Sequence, residues 1–330
     1  MDRKARVTRK DVAQKAGVSV ATVSYVLNHT KTVSEEVEAR VKEAARELRY
    51  QPNLIARSLI TKRSMHVAIL VDNLNNPYYI KLLEGAQKRA AKKGYIVALM
   101  LQDHLNSENL DQLVSRQIDG LVVTTQKWKG IYERIGSLIP CIGPQDYSNK
   151  LLIDYRHAMF EAVKTIKRYG HRRVAAICGL EQGTDDPRIR NLKEALENEG
   201  MEVDQELFIW GDKDSETTVT KGYQAMDQLL KRGREFTAVF AMNDLMAIGA
   251  MRCLREHKLR IPEDISLWGC DNDDRDEDLQ IPLSSIDVAP RSIGEELMRM
   301  LLAEIEGSQV TEKTIRGVFV ERESIGVCKH

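Results

Sequence analysis

From His66 to the C-terminus, short apolar runs alternate with longer helical stretches, and this alternation limits the fold of the 330-residue chain more than any other feature. Such alternation indicates parallel sheets with right-handed crossovers. The predicted strands include His66–Val71, Tyr95–Leu101, Leu121–Thr125, Val174–Cys178, Ala238–Met242 and Ile265–Gly269. About ten strands are too many for one small sheet, so we expect two doubly wound α/β subdomains with a ligand cleft at the carboxyl ends of their strands.

The composition is that of a packed globular protein, since 42% of the residues are hydrophobic. No apolar run approaches the roughly 18–20 residues that span a bilayer, which argues against a membrane protein. The N-terminus carries no apolar segment, so we expect no secretory signal and a cytoplasmic location. Five cysteines, an odd number without close spacing, predict core thiols rather than disulfides or a zinc site.

Charge is distributed unevenly along a chain whose formal net charge is zero. Residues 1–65 carry 14 basic and 7 acidic side chains, a net charge of +7, and the remaining residues carry 35 and 42, a net charge of −7. A basic head on an acidic body suggests that the head binds a polyanion.

The basic head is predicted to form three short helices, Arg9–Ala16, Val20–Asn28 and Glu35–Arg49. Thr8 and Asp11 fit a capping box, and Ser19 and Ser34 stand at the other two N-caps. The turn through Gly17 is typical of a helix-turn-helix, whose second helix enters the major groove of DNA. A three-helix unit that contacts proteins is the alternative.

The segment from Thr8 to Asn28, RKDVAQKAGVSVATVSYVL between those two residues, resembles the head of the LacI/GalR (lactose-repressor/galactose-repressor) family of bacterial transcription regulators. The segment RYQPNLIARSL, residues 49–59, is similar to the hinge of that family. Further matches cover nearly the whole chain, among them NPYY at 76–79, AMNDLMAIGA at 241–250 and IPEDISLWGCD at 261–271. The resemblance implies a body similar to periplasmic sugar-binding proteins.

The resemblance implies that the head and hinge contact double-stranded DNA. Val20 and Ala21 match base-reading positions, and Thr22, Ser24 and Asn28 match positions that hold phosphates. Leu59 matches a leucine that wedges into the minor groove. The full expected set is Thr8, Val20, Ala21, Thr22, Ser24, Tyr25, Asn28, Ala56, Arg57 and Leu59. Tyr25 stands where the family often has Arg and cannot make the bidentate contact of Arg to guanine.

The resemblance also implies an effector site in the cleft, formed by Tyr78, Tyr79, Thr124, Gln145, Arg188, Asn243 and Asp271. A tyrosine face can stack on a sugar or base ring, a guanidinium can donate to ring hydroxyls, and a carboxylate can accept from them. Gln145, Tyr155 and Cys270 depart from the family pattern. The acidic run from Asp271 to Asp278 lacks the sixth-position glycine of an EF-hand and is predicted to be a solvated loop.

We therefore expect a head at residues 1–51, a hinge at 52–64 and a core at 65–330, whose subdomains are about 65–156 with 289–315 and about 157–288 with 316–330. The expected function is a repressor that binds a pseudo-palindromic operator as a homodimer under a small effector, a sugar or sugar derivative. Control by a protein co-repressor and a sugar-binding protein without a DNA role are the alternatives. We find no enzyme motif and expect no cofactor, no metal and a location in the cytoplasm on the nucleoid. Only four residues follow Gly326, which argues for a dimer over a tetramer.

Overall fold

The structure is a computed structural model that describes residues 7–28, 31–50, 63–101, 118–124, 129–143, 150–212 and 216–329. The chain divides into two compact units, residues 1–64 and residues 65–330. The predicted DNA contacts Ala56, Arg57 and Leu59 and the predicted cleft residue Gln145 lie outside the described residues.

The first unit contains three helices, α1 (Arg9–Ala16), α2 (Val20–Asn28) and α3 (Glu35–Glu47). Asp11 accepts hydrogen bonds from the backbone N–H and the hydroxyl of Thr8, each at 2.7 Å, which holds the start of α1. Gly17 ends α1 with a φ of 64°, a left-handed value that glycine adopts without strain. The prediction that α3 extends to Arg49 is wrong, because Arg49 itself has a φ of 49° and breaks the helix.

The core of the first unit forms where the apolar stripes of the three helices meet. Val12 of α1, Val23 of α2 and Val41 of α3 are all fully buried. Ser34 caps α3, since its hydroxyl accepts from the backbone N–H of Val37, and acidic residues fill the first turn of that helix. Two caps and one small core therefore fix a compact three-helix unit.

The second unit contains two sheets, and we call the part around each sheet a lobe. Lobe 1 has the strand order β2 (Ile96–Leu101), β1 (His66–Val71), β3 (Gly120–Val123) and β4 (Cys141–Ile142), all parallel. Its helices are α4 (Pro77–Ala91), α5 (Lys129–Gly136) and α10 (Pro290–Ile305). β1 is buried from Val67 onward, as its continuous apolar sequence predicts.

Helices α4 and α10 pack closely because glycines lie at their crossing. A Cβ added to Gly294 of α10 would lie 1.8 Å from the backbone oxygen of Leu82, and one added to Gly85 of α4 would lie 1.9 Å from that of Arg291. No side chain fits at either position. The two backbones touch directly, and α10 thereby joins a late segment of the chain to lobe 1.

Lobe 2 has a six-stranded sheet in the order β12 (Val318–Val320), β10 (Ser284–Asp287), β9 (Ser266–Cys270), β8 (Ala238–Ala241), β6 (Val174–Glu181) and β7 (Phe208–Gly211). Its pairs are parallel except for β10 with β12. The helices of this lobe are α6 (Arg156–Arg168), α7 (Pro187–Asn198), α8 (Val219–Lys231) and α9 (Asp244–Glu256), and a short 3₁₀ helix spans Gln205–Leu207. Trp268, Phe240 and Phe208 are the largest fully buried side chains here.

In the part of the second unit that the structure describes, the chain passes between the lobes three times, near residues 155, 288 and 317. Beside two of these passages, β5 (Leu151–Asp154) pairs in parallel with β11 (Lys313–Arg316) to form a separate two-stranded sheet. The alternation of strands and helices predicts the two lobes, but the sequence did not predict this small sheet.

A buried histidine links the start of lobe 2 to the C-terminal segment. The ring nitrogens of His171 lie 2.9 Å from the hydroxyl of Thr237 and 2.9 Å from the backbone oxygen of Gly326. Burial lowers the pKa of His171 below its ordinary value, so the ring is neutral near pH 7.

The cysteines and the helix lengths bear on two expectations from the sequence. Cys141, Cys178, Cys253 and Cys270 are buried free thiols and Cys328 is half-buried, which confirms that most of the cysteines are core residues. Within the described parts of the chain, no helix combines the length and the apolar character that crossing a membrane requires.

Candidate functional site

Polar and aromatic side chains collect where the strands of both lobes end, since parallel strands bring their carboxyl ends to one edge of a sheet. β1 leads to Tyr78 and Tyr79, and β9 leads directly to Asp271. β8 leads to Asn243, β6 to Arg188 and β3 to Thr124. The six described members of the expected effector site therefore all follow strand ends.

Arg188 is fixed by a carboxylate beside it. Its Nε and Nη2 donate to the two carboxylate oxygens of Asp186 at 3.0 and 2.8 Å, and its Nη1 donates to the backbone oxygen of Met242 at 3.2 Å. Burial alone would raise the pKa of Asp186, but the charge and hydrogen bonds of Arg188 outweigh it and hold that pKa below its ordinary value. Among the described residues, these bonds use three of the five N–H groups of the guanidinium, which leaves two for a ligand.

Asp271 interacts with residues of both lobes. Burial raises its pKa to about 7, while Arg188 of lobe 2 and a hydrogen bond with Asn76 of lobe 1 act in the opposite direction. Its φ of 112° is unusual for a residue other than glycine, and such strain is concentrated at functional sites. Asp271 can therefore accept hydrogen bonds from a ligand as a carboxylate that is close to its titration point at neutral pH.

Three tyrosines, Tyr78, Tyr79 and Tyr155, lie near the side chains of Arg188 and Asp271. The rings of Tyr78 and Tyr79 meet edge to face with centroids 5.3 Å apart, and the hydroxyl of Tyr79 donates to Asp72 at 3.3 Å. Burial raises the pKa of Tyr78, which also feels the charges of Asp271 and Arg188. Burial likewise raises the pKa of Tyr155, which lies near Arg188 and Tyr78. The three phenols are neutral, and their faces offer apolar area next to polar groups.

Thr124 and Asn243 differ from the residues of this cluster, because their side chains are engaged in local hydrogen bonds. The hydroxyl of Thr124 donates to the backbone oxygen of Leu70 at 2.6 Å. Asn243 is 2% exposed and caps α9, since its Oδ1 accepts from the N–H of Met246 at 3.0 Å and its Nδ2 donates to the oxygen of Thr217 at 3.3 Å. Both residues use their polar atoms to hold the ends of local elements.

Sequence reasoning missed Asp186 and Asn76 and treated Tyr155 only as a departure from the family pattern. Asp186 and Asn76 each precede a proline at the start of a helix, and each caps that helix. The capping pattern was visible in the sequence, but the second contact of each residue, with Arg188 and with Asp271, depends on the tertiary fold.

The acidic run after β9 is a loop, as the sequence predicts, but only half of its residues are exposed and two of its aspartates are buried. Asp276 is fully buried beside Asp244, and burial raises the pKa of Asp276 to about 6 and raises that of Asp244 as well. The backbone N–H of Asp273 donates to Asp244 at 3.0 Å, and Asp273 pairs with Arg275 at 2.5 Å. Two buried carboxyl groups side by side favour a shared proton, so this loop is an anchored part of lobe 2.

In the first unit, α2 presents small and apolar side chains at its start. Ser19 caps the helix by accepting from the backbone N–H of Thr22 at 3.0 Å. Val20 is 45% exposed, Ala21 is exposed, and Ser24 and Tyr25 are half-buried. The ammonium of Lys31 lies 4.8 Å from the centroid of the Tyr25 ring, a cation–π distance. Thr8 is occupied at the cap of α1, and Asn28 ends α2.

Comparisons with known proteins match both units. A family model described as bacterial regulatory proteins, lacI family, matches residues 8–53, and one described as a periplasmic binding protein-like domain matches residues 163–325. The HTH-type transcriptional repressor CytR of Escherichia coli (strain K12) is 32% identical over 314 residues, which cover 92% of this chain and 91% of CytR.

Solved structures give the same result for the fold. The lac repressor dimer bound to operator and the anti-inducer ONPF has a TM-score of 0.81 at 24% identity. The match covers 97% of this chain and 99% of the lac repressor chain. A LacI family transcriptional regulator from Enterococcus faecium with bound ribose has a TM-score of 0.70 at 25% identity and covers 80% of this chain and 100% of its own. The order and types of the elements described above agree with these matches.

Proposed function

The chain belongs to the LacI family of bacterial regulatory proteins, and from this premise we propose how it acts as a transcriptional repressor. Residues 1–64 bind a DNA operator, and residues 65–330 bind a small polar effector that changes the affinity for that operator. The observation that carries the proposal is a 32% identity to a transcriptional repressor that extends over 92% of the chain, with a basic helix-turn-helix at its start. The relatives are repressors, and we assign this chain no catalytic role.

DNA recognition is proposed to use the start of α2. The exposed side chains of Val20 and Ala21 are small enough to meet base edges, and apolar contact with the thymine methyl group is one form of major-groove readout. Thr22 and Ser24 would hold phosphates, which position the helix without reading sequence. A homodimer places two such helices on a pseudo-palindromic operator.

The effector is proposed to be a polyhydroxylated ring, a sugar or sugar derivative. The two N–H groups of Arg188 that have no partner among the described residues can donate to it, the carboxylate of Asp271 can accept from its hydroxyls, and Tyr78 can cover an apolar face. The regulator from Enterococcus faecium with bound ribose supports this class of ligand. Because the cluster draws residues from both lobes, a bound ring would favour one arrangement of the lobes, and the affinities for effector and operator would be coupled reciprocally.

Selection of bound duplexes from a random DNA pool tests the proposal. Full-length protein is compared with residues 64–330, which lack the helix-turn-helix, at a stated salt concentration. Salt matters because a protein that makes about 6–10 phosphate contacts loses roughly 10³–10⁵ in affinity between 50 and 200 mM salt. We expect the full chain to enrich a palindrome that the truncated chain does not. The location that goes with this function is the cytoplasm, where operator DNA lies.

Two other outcomes would be informative. Equal enrichment by both chains would contradict the role of residues 1–64. Enrichment by the full chain only after addition of a cell extract would favour the alternative of a protein co-repressor, and fractionation of that extract would separate a protein from a small molecule.

A further inference from the structure

A mixed set of metal-ligating side chains lies on lobe 2, separate from the effector cluster. Asp227 belongs to α8, Cys253 to α9, and His257 caps the C-terminal end of α9. One ligating atom from each residue lies within 4.8 Å of those from the other two. We propose that these three residues bind one divalent cation of the zinc type, an inference that goes beyond the proposed repressor function.

The spacing of the ligating atoms is somewhat wider than that of a tetrahedral site. Metal bonds of about 2.0–2.3 Å place neighbouring ligand atoms roughly 3.3–3.7 Å apart. The Sγ of Cys253 lies 3.7 Å from Nδ1 of His257, and Nε2 of the same ring lies 3.7 Å from Oδ1 of Asp227. Only the second distance joins two atoms that would both bind the metal, so the sulfur and the ring have to approach each other from a set of ligating atoms that lie within 4.8 Å of one another. His257 can move in this way because it is exposed at a helix end.

The hydrogen bonds around the ring select one nitrogen as the ligand. Nδ1 lies 3.0 Å from the backbone oxygen of Cys253, and a carbonyl oxygen can only accept, so Nδ1 carries the proton. The lone pair is then on Nε2, which faces Asp227. A ring N–H that donates to a backbone carbonyl is the usual second contact of a metal-binding histidine.

Asp227 is oriented in a similar way. Its Oδ2 accepts from the ammonium of Lys231 at 2.6 Å, which leaves Oδ1 towards His257. When Cys253 loses its thiol proton to solvent on metal binding, the thiolate and this carboxylate balance the two charges of the cation. One sulfur, one nitrogen and one oxygen ligand suit zinc, whereas calcium and magnesium prefer oxygen alone.

The site would tie α8 to α9. The Cys253 side chain is fully buried, Asp227 is half-buried and His257 is exposed, so a water molecule can complete the coordination from the side of His257. α9 begins at Asp244, beside the buried carboxyl group of Asp276, so the cation would stiffen a helix whose other end lies near Asp271. We expect zinc to raise the melting temperature of the protein.

Cobalt(II) is the probe for this site, because it takes zinc positions and shows a thiolate-to-metal charge-transfer band in the near ultraviolet. The full-length, reduced, chelator-treated protein is titrated with Co²⁺ and then with Zn²⁺. We expect a charge-transfer band that saturates at one cobalt per chain and disappears as zinc displaces it. Cys253→Ser should abolish the band, and His257→Gln should weaken binding at least about 100-fold, beyond the usual effect of removing an outer-shell partner.

Matched variants decide the assignment. Cys328→Ser and His157→Gln change the same residue types elsewhere and should leave the titration unchanged. Absence of the band, its persistence at full strength in His257→Gln, or its loss in Cys328→Ser would each overturn the proposal. If Cys253→Ser fails to fold, Asp227→Asn replaces it, because Asp227 is a partly exposed position and its loss should also weaken binding.

Discussion

A single carboxylate decides the direction in which the guanidinium of Arg188 points. Asp186 takes two of its N–H groups and the backbone of Met242 takes a third, so the remaining donors are fixed before a ligand arrives. A preorganised donor loses little conformational freedom on binding, which favours affinity. Asp186 is thus a positioning residue for the proposed effector site, and Arg188 is the contact residue.

Replacing Arg188 by methionine should weaken effector binding and leave DNA binding without effector unchanged. Hydrogen bonds to a charged group contribute roughly 1.5–3 kcal/mol, so we expect about a 10- to 150-fold loss of affinity. Binding is measured by titration calorimetry with the best ligand from a panel of sugars and glycosides.

Arg190→Met is the matched control for this prediction. Arg190 is an exposed arginine of the same helix, paired with Asp185 instead of Asp186. Equal affinity of Arg188→Met and the unchanged protein for the sugar would remove Arg188 from the site, and an effect of Arg190→Met as large as that of Arg188→Met would point to a general loss of charge.

At the scale of the elements, the crossing of α4 and α10 tests how closely two helices are packed. Gly294→Ala puts a methyl group where its Cβ would lie 1.8 Å from the backbone oxygen of Leu82, so the helices must separate. Overpacking of this kind costs roughly 1–3 kcal/mol of unfolding free energy, and more where backbone has to move. Urea denaturation followed by circular dichroism measures the change.

Gly136→Ala serves as the control, because the nearest atom to its added Cβ is the Cβ of Cys141 at 3.7 Å, an ordinary contact distance. This change should leave the unfolding free energy within about 0.5 kcal/mol or raise it slightly, since alanine favours a helix over glycine. Equal destabilisation by both substitutions would show that the α4–α10 crossing is not especially tight.

Elements with strong local patterns could be predicted from the sequence, and contacts between elements could not. β1 has the predicted bounds because its apolar run is unbroken, and α1 ends at Gly17 as its capping pattern indicates. The α3 prediction ran two residues too far, because a left-handed residue after Glu47 leaves no pattern when it is an arginine. The position of Asp276 against Asp244 depends on the folding of a loop, so composition suggested solvent where the structure has burial.

At the scale of the whole molecule, exposed apolar side chains suggest where two chains would meet. The exposed large apolar side chains of the described second unit include Leu74 and Ile80 of lobe 1, which are 40% and 41% exposed and stand only six positions apart at the turn into α4. Exposed apolar residues that lie together mark interaction surfaces. The proposed homodimer would therefore use lobe 1 around the start of α4.

Sedimentation equilibrium at micromolar concentration should give the mass of a dimer. Ile80→Asp should shift it towards the monomer, because a carboxylate buried without a partner opposes association. Val327→Asp, at an apolar position of lobe 2 that is 63% exposed, should leave the dimer intact. A stable tetramer, or a dimer insensitive to Ile80→Asp, would contradict this assignment.

The three passages of the chain between the lobes have a consequence for how such genes can recombine. Residues 1–64 form one continuous stretch, so a single crossover between two related genes can exchange the entire DNA-contacting unit. Each lobe is assembled from separate stretches, so no single crossover can transplant a lobe intact. A single crossover near residue 64 can therefore combine a complete DNA-contacting unit with a complete effector-binding unit from another gene. A combination of lobes from two genes needs a separate crossover at each passage between the lobes.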